Sequence, residues 1–447
     1  MSVVFLCRRA LVLGLGALLL VLWVSSARAE IEVIETPGGL TVWLQREPAI
    51  PMVAMNFAFR GGSSLDPEGR EGLSNLVSSL LDEGAGAMDS QAFQDRLDEL
   101  SVHMRFSAGR DDFLGSLVTL TDNLDEAFDL LAMALNEPRF DAEPVDRIKG
   151  QILVSLAYRA EDPNNVAWRA WSEAAFPDHA YGRPVDGTPE TVAAITPDDL
   201  RTYVAGAFAR DRLIIAAVGD IEPDRLAGLV DQVFAGLPES GAPLTTADTS
   251  PTTGQTIVVD MDVPQSTIVL GLPALKRDDP DYYAATVLNK ALGGGGLNTR
   301  LFEEVRKERG LAYSASTSLA PYDHAGILVG SAGTQNARAG ETIEVIKDVL
   351  ADVAENGITQ GELDDARDYL TGSFPLSLDS NGEIARLLVA MQMRDLGRDY
   401  LEERNGFIEA VTLDDVNRLA AELLKPDDLL IVVAGRPDGV VSTTPVE

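Results

Sequence analysis

Residues 196–219 read TPDDLRTYVAGAFARDRLIIAAVG, and residues 412–435 read TLDDVNRLAAELLKPDDLLIVVAG. Thr196-Pro197-Asp198-Asp199-Leu200 matches Thr412-Leu413-Asp414-Asp415-Val416. The apolar run Leu213 to Val218 with Gly219 then matches Leu429 to Val433 with Gly435, and the offset stays at 216 residues throughout. Earlier segments agree at nearby offsets: Asp66-Pro67 falls against Asp279-Pro280, and the helix after Phe140 falls against the one after Ile358. Small insertions account for the drift. Order and spacing persist over several elements, which marks an internal duplication rather than chance.

Within each copy, β-type runs such as Met52 to Phe59 and Phe113 to Leu120 alternate with helical stretches such as Asp122 to Leu135 and Pro144 to Tyr158. Asp89 or Ser90 caps the helix that follows. The expected fold class is α+β: two homologous units, each a mostly antiparallel sheet covered by helices. The stretch PESGAPLTTADTSPTTGQ, residues 238–255, is rich in Pro, Gly, Ser and Thr without apolar periodicity and reads as a linker. It separates a first unit, residues 30–237, from a second, residues 256–447.

Residues 1–29 read as a signal peptide. Arg8 and Arg9 precede the apolar run Ala10 to Val24, and Ala27-Arg28-Ala29 forms a small-x-small cleavage pattern before Glu30. A retained membrane anchor is the alternative, but the run is shorter than the roughly 20 residues a spanning helix needs. The expected location is periplasmic or otherwise extracytoplasmic, with no membrane span after cleavage. The only cysteine, Cys7, lies ahead of the apolar run, so the mature chain forms no disulfide. Cleavage removes three arginines and no acid, which leaves 33 basic against 70 acidic residues, a formal charge of −37. Such a surface repels nucleic acid and keeps the chain soluble; it could also steer basic peptides inward.

Common catalytic patterns are absent: there is no Gly-x-Ser-x-Gly elbow, no phosphate-binding Gly-Lys-Ser/Thr loop and no cysteine nucleophile. His103, His179 and His324 lie in three different segments, none at metal-ligand spacing with a second histidine or a carboxylate, and structural roles are expected for all three. The most suggestive segment is LGGGGLNTRLFEEVRKERGLAYS, residues 292–314. Together with Gly72-Leu73, Phe176-Pro177 followed by His179-Ala180-Tyr181-Gly182, and the run from Ala194-Ile195-Thr196 to Gly219-Asp220, it resembles the pitrilysin and insulinase family of zinc peptidases. The likeness is to the branch that includes the mitochondrial processing peptidase and bacterial two-subunit relatives, and it spans essentially all of the mature chain.

That resemblance implies a clam-shell chamber for unfolded peptides, and a zinc motif His-x-x-Glu-His on the helix after the Gly-Leu pair, completed by a glutamate from a later helix. Here the matching positions are Asn75, Ser78 and Ser79, and no glutamate occurs between Glu143 and Glu161; Ser155 stands near that register. Hydroxyls and an amide are poor zinc ligands, and none could take a proton from water. Asp82 and Glu83, before Gly84, are expected to form a solvated helix end. Arg306 and Tyr313 match the family's substrate-facing pair, suited to holding a peptide carbonyl and stabilising the oxyanion that develops when water adds to it. The alternative gives Arg306 to a surface charge run and Tyr313 to a strand interior. Gly294, Gly295 and Gly296 form either a mobile connector or a place where substrate backbone approaches.

The resemblance thus implies a metal-free subunit with no cofactor of its own, acting with a homologous partner that has the intact motif and carries the zinc, on peptide substrates. A non-enzymatic assembly or peptide-holding protein is the second reading.

Overall fold

The computed structural model describes residues 30–244 and 246–443; the proposed signal segment, residues 1–29, lies outside them. The first half builds a six-stranded sheet in the order β1-β2-β6-β3-β5-β4, from β1 (Ile31–Glu35), β2 (Thr41–Arg46), β3 (Met52–Arg60), β4 (His103–Ala108), β5 (Asp112–Leu120) and β6 (Leu213–Gly219). The second half builds a five-stranded sheet in the order β7-β11-β8-β10-β9, from β7 (Thr256–Asp260), β8 (Gln265–Pro273), β9 (Ala312–Pro321), β10 (Gly326–Gln335) and β11 (Leu430–Gly435). Every neighbouring pair is antiparallel except β2 with β6 and β7 with β11. These two parallel pairs occupy equivalent places, so the duplication extends to strand direction.

The repeated words of the sequence are structural devices. Thr196 caps the helix Pro197–Ala207 through a reciprocal box: Asp199 N–H donates to its hydroxyl at 3.3 Å, while Thr196 N–H donates to the Asp199 carboxylate at 2.8 Å. Thr412 and Asp415 repeat the arrangement on the helix Leu413–Leu423, at 3.2 and 3.0 Å. The box satisfies N–H groups that the first helical turn leaves orphaned. Gly219 and Gly435 end β6 and β11 with φ of 149° and 146°. A side chain on Gly219 would meet the Met52 carbonyl. Glycine is required there because backbone passes where a Cβ would sit.

The two apolar runs do not alternate because both faces of each sheet are buried. On one face of the first sheet, Phe57, Phe59, Ile215 and Ala217 join a core with the helices α3 (Leu124–Asn136), α7 (Pro197–Ala207) and α8 (Pro223–Phe234). Phe59 stacks on Phe208 with ring centres 4.7 Å apart. On the other face, Ala58, Ala216 and Val218 are covered by Ala385, Leu388 and Val389 of α12 (Asn381–Met393), a helix from the second half. Gln392 and Arg60 secure it, donating to the carbonyls of Ile215 (3.1 Å) and Met393 (2.6 Å).

The second sheet is treated reciprocally. One face packs on α9 (Tyr282–Leu292), α10 (Ala339–Asn356) and α14 (Leu413–Leu423) through Ile268, Leu270, Ile431 and Val433. The other receives α5 (Pro163–Ala175) of the first half, whose Trp171 is buried among Val269, Ile327 and Val432 and donates its indole N–H to the Leu430 carbonyl at 3.2 Å. Each half therefore completes the other's core.

The described residues of the 238–255 stretch form no helix or strand, yet they are fastened to both halves. Ala242 N–H donates to the Gly206 carbonyl, Thr252 N–H to that of Ala175, Thr249 N–H to that of His324 and Gly254 N–H to that of Asp428.

A Cβ on Gly271 of β8 would lie 2.2 Å from the Trp171 ring, whereas one on Gly333 of β10 meets nothing within 4 Å. Gly271→Ala is expected to destabilise the protein by about 1–3 kcal/mol through overpacking, and Gly333→Ala to cost far less. Urea midpoints followed by tryptophan fluorescence read the difference.

Candidate functional site

The segment Phe302–Glu308 winds as a π-helix, anchored by buried Leu301, Val305 and Leu311. Its wider turn is uncommon and tends to mark functional positions. Of the cations in its charge run, Lys307 is paired to Glu303 at 2.7 Å and Arg309 to Glu304. Arg306 has no ion pair among the described residues. Its guanidinium carbon instead lies 4.9 Å from the centre of the Phe302 ring and 4.6 Å from that of Tyr313. The sequence places Arg306 and Tyr313 seven residues apart; the fold brings them into contact.

Tyr313 owes its direction to a β-bulge. On β9, Ser314 pairs with Gly333 and Ala312 pairs with Thr334, so Tyr313 has no partner across the ladder. A bulge of this kind re-aims a side chain, and Tyr313 is 81% exposed. It does not fill a strand interior. Strand β9 is the outer strand of its sheet, so phenol and guanidinium stand at an open edge.

The glycine loop leads into this segment. The Gly293 carbonyl accepts from Thr317 N–H on β9 at 2.8 Å, and the N–H groups of Gly293 and Gly294 both donate to the Asn289 carbonyl. Lys290 Nζ donates to the Gly295 carbonyl at 2.6 Å and lies over the Tyr369 ring; burial lowers its pKa. A Cβ on Gly294 would come within 2.8 Å of the Lys290 backbone, so glycine is needed for the close turn. Gly295 and Gly296 are exposed, with φ of 81° and 94°. The loop is tied down at its start and presents bare backbone beyond.

In the first half, the helix α1 (Leu73–Ser78) carries the positions matching the zinc motif. The hydroxyls of Ser78 and Ser79 both donate to the Asn75 carbonyl, at 2.8 and 3.0 Å, and so are spent on their own helix. Ser155 is exposed on α4 (Ala142–Glu161). Among the described residues no three His, Cys, Asp or Glu side chains are grouped to hold a metal.

One sequence expectation needs correction here. Glu83 is not a solvated helix end: it is paired to Arg147 at 2.5 Å and accepts from the Ser90 hydroxyl, with its side chain 14% exposed. Asp82 is likewise buried enough that its pKa is raised. The fold does bring together two histidines from different segments of the chain. His179 and His324 both lie against Tyr181, with ring centres 4.5 and 6.3 Å away, and their ring nitrogens contact the Ala247 carbonyl and the Asp248 carboxylate. They link the connecting stretch to both halves.

Sequence reasoning missed Phe302, the second ring against Arg306; its place four residues earlier in the chain was the available signal. It also missed Asp66, which accepts from the N–H groups of Gly72 (3.1 Å) and Ser74 (2.9 Å) and from the Ser74 hydroxyl, and so holds the start of α1.

Fold and site together define a tandemly duplicated two-sheet protein with an open arginine and tyrosine pair on the edge of its second half. Residues 41–189 match the family profile described as insulinase (peptidase family M16), and residues 194–370 match that described as peptidase M16 inactive domain. A crystal structure of a peptidase M16 inactive domain from Pseudomonas fluorescens superposes with a TM-score of 0.85 at 30% identity, covering 93% of this chain and 100% of that one. An uncharacterized zinc protease of Streptomyces coelicolor is 27% identical over 412 residues, 90% of this chain and 89% of that protein. A non-peptidase homolog of Helicobacter pylori is 27% identical over 331 residues, 73% and 76% of the two chains. The chain belongs to the insulinase family, peptidase family M16.

Burial raises the Asp66 carboxyl to about 7, against the N–H and hydroxyl donors of Ser74 and Gly72 that favour its charged form. A carboxyl raised in the folded state binds its proton more tightly there than in the unfolded chain. Its contribution to stability is therefore complete below about pH 4 and is lost as pH rises through about 7. Asp66→Asn should remove that slope from unfolding free energies measured across this range.

Proposed function

We propose that this chain is the metal-free subunit of a heteromeric, extracytoplasmic zinc peptidase. In this reading it supplies Arg306 and Tyr313 to a homologous partner that carries the intact zinc motif. The observation that supports it most is the state of Arg306: alone in its charge run it has no acidic partner among the described residues, and it lies over the Phe302 ring and that of the exposed Tyr313. A guanidinium so placed is oriented without being neutralised, which is what recognition of a developing negative charge needs.

The partner's zinc would polarise the attacking water. On this side of the chamber, the Arg306 guanidinium and the Tyr313 phenol donate to the peptide carbonyl oxygen and follow it as it becomes an oxyanion. The loop of Gly294, Gly295 and Gly296, which continues from the Gly293 carbonyl held by β9 and exposes its backbone at Gly295 and Gly296, accommodates the substrate chain. No zinc is bound by this chain, because the serine hydroxyls and the Asn75 amide stand where imidazoles and a carboxylate would be required.

The chain purified alone should hold no stoichiometric zinc and cleave no peptide, while the complex with a motif-bearing partner does both. In that complex, Arg306→Ala should lower kcat/KM by about 10²–10³-fold, the range for loss of one oxyanion donor. Tyr313→Phe should have a smaller effect. Full activity of the Arg306→Ala complex would sink the catalytic role and leave the peptide-holding reading; zinc and cleavage in the lone chain would overturn the whole assignment.

A further inference from the structure

The glycine loop stands away from the helices beside it. A cavity of about 350 Å³ lies between the loop and α11 (Gln360–Ser373), lined by Ala291 of α9, Leu297 of the loop and Glu362, Ala366 and Tyr369 of α11. Leu297 is 67% exposed and so does not seat in it. Packing therefore does little to fix the loop.

Hydrogen bonding adds little more. Among the described residues two bonds reach residues 295–298: Gly295 N–H donates to the Gly293 carbonyl at 2.8 Å, a bond within the loop itself, and Lys290 Nζ donates to the Gly295 carbonyl at 2.6 Å. Two other polar groups stand close to the loop and are not used by it. Asn289 Oδ1 and the Thr317 hydroxyl, buried beside Gly294 and Gly293, make no hydrogen bond among the described residues. Gly295 and Gly296, with positive φ, bring backbone freedom of their own. Among the described residues, Lys290 is thus the one side chain that ties the exposed turn of the loop to the body of the fold.

This anchor is buried. Lys290 is 9% exposed, its Nζ lies 3.2 Å from the centre of the Tyr369 ring, and no carboxylate forms an ion pair with it among the described residues. Glu362, on the same cavity, is spent on Arg300 and on capping α11, and Asp365 is exposed at the rim. An ammonium taken out of water without a counter-ion costs free energy, which the ring face and the carbonyl offset in part. For packing alone Leu or Met would serve better at this position. What the lysine adds is a directed bond to the loop.

We propose that Lys290 is a positioning residue: through Gly295 it holds the glycine loop in the conformation that receives the substrate chain, with Tyr369 fixing the direction of its ammonium. The proposal rests on the reading that the loop accommodates substrate. A loop already ordered loses less conformational freedom when a peptide settles on it, so the latch acts on peptide affinity and not on the chemical step.

Thermolysin cuts on the amino side of exposed leucines, and Gly296–Leu297 is such a bond. In the purified chain, Lys290→Met should speed cleavage there by at least about tenfold, a shift of about 1.4 kcal/mol in loop opening, while thermal melts stay cooperative. Lys290→Arg, which keeps a donor and a cation for the ring, should restore most of the wild-type resistance. Tyr369→Leu, at a half-exposed ring whose loss leaves no buried gap, should raise the rate in the same direction. In the complex with a motif-bearing partner, Lys290→Met should raise KM by about tenfold and leave kcat near the wild-type value, a split that a general loss of fold does not produce. Equal thermolysin rates for wild type and Lys290→Met, or a loosened loop with an unchanged KM, overturns the proposal. A wild-type complex that cleaves nothing counts against the proposed function instead, and the thermolysin rates of the lone chain still decide the latch.

Discussion

The structure depends on the exchange of two helices. Each sheet has two apolar faces, and its own half supplies helices enough to cover only one. Exposing the other would leave Ala58, Ala216 and Val218, or Val269, Ile327 and Val432, in water. Burial is worth roughly 25 cal/mol per Å² of apolar surface, so a whole sheet face decides whether the half is stable. Trp171 and Gln392 turn this general requirement into a specific fit by donating to backbone carbonyls of the opposite sheet. The halves are consequently fixed to each other by their cores rather than by surface contacts.

That rigidity gives the second sheet's outer strand its use. An edge strand is ordinarily blunted. Here the middle of β9 is covered by the Gly293 carbonyl on Thr317 N–H, while its first residues are opened by the bulge at Tyr313. The π-helix supplies Arg306 from beside it. Two local departures from regular geometry, one in a helix and one in a strand, thus produce one pair of side chains in stacking contact. Departures of this sort lower local regularity and persist where the surrounding packing holds them, which Val305 and Leu311 do from beneath.

Much of this was legible in the residues. The duplication followed from repeated words and a constant offset, and those words proved to be helix caps and strand-ending glycines, which are local devices and so leave local traces. The partnership of α5 and α12 was not legible, because an amphipathic pattern states that a helix has an apolar side and not which sheet will cover it. Glu83 was misread for a related reason: its partner Arg147 stands 64 residues away, and no spacing rule connects them. His179 and His324 belong to separate segments of the chain, and that they meet at Tyr181 shows only in the fold. At the candidate site the spacing of Arg306 and Tyr313 was visible, whereas the bulge that aims the tyrosine depends on register with β10 and appears only once the strands pair.

The helix exchange also constrains how such a chain arises. A single copy of the unit has one sheet face that only another copy can cover, so an unduplicated chain is stable as a domain-swapped dimer, each subunit lending a helix to its neighbour. Joining the copies through residues 238–255 makes that loan intramolecular, and the encounter is then set by a tethered effective concentration rather than by protein concentration. Fusion also frees the two copies to diverge, because each sequence now occupies only one of two formerly identical places. The serines of α1 and the arginine of the π-helix are differences that a symmetric dimer of one sequence has no means to hold.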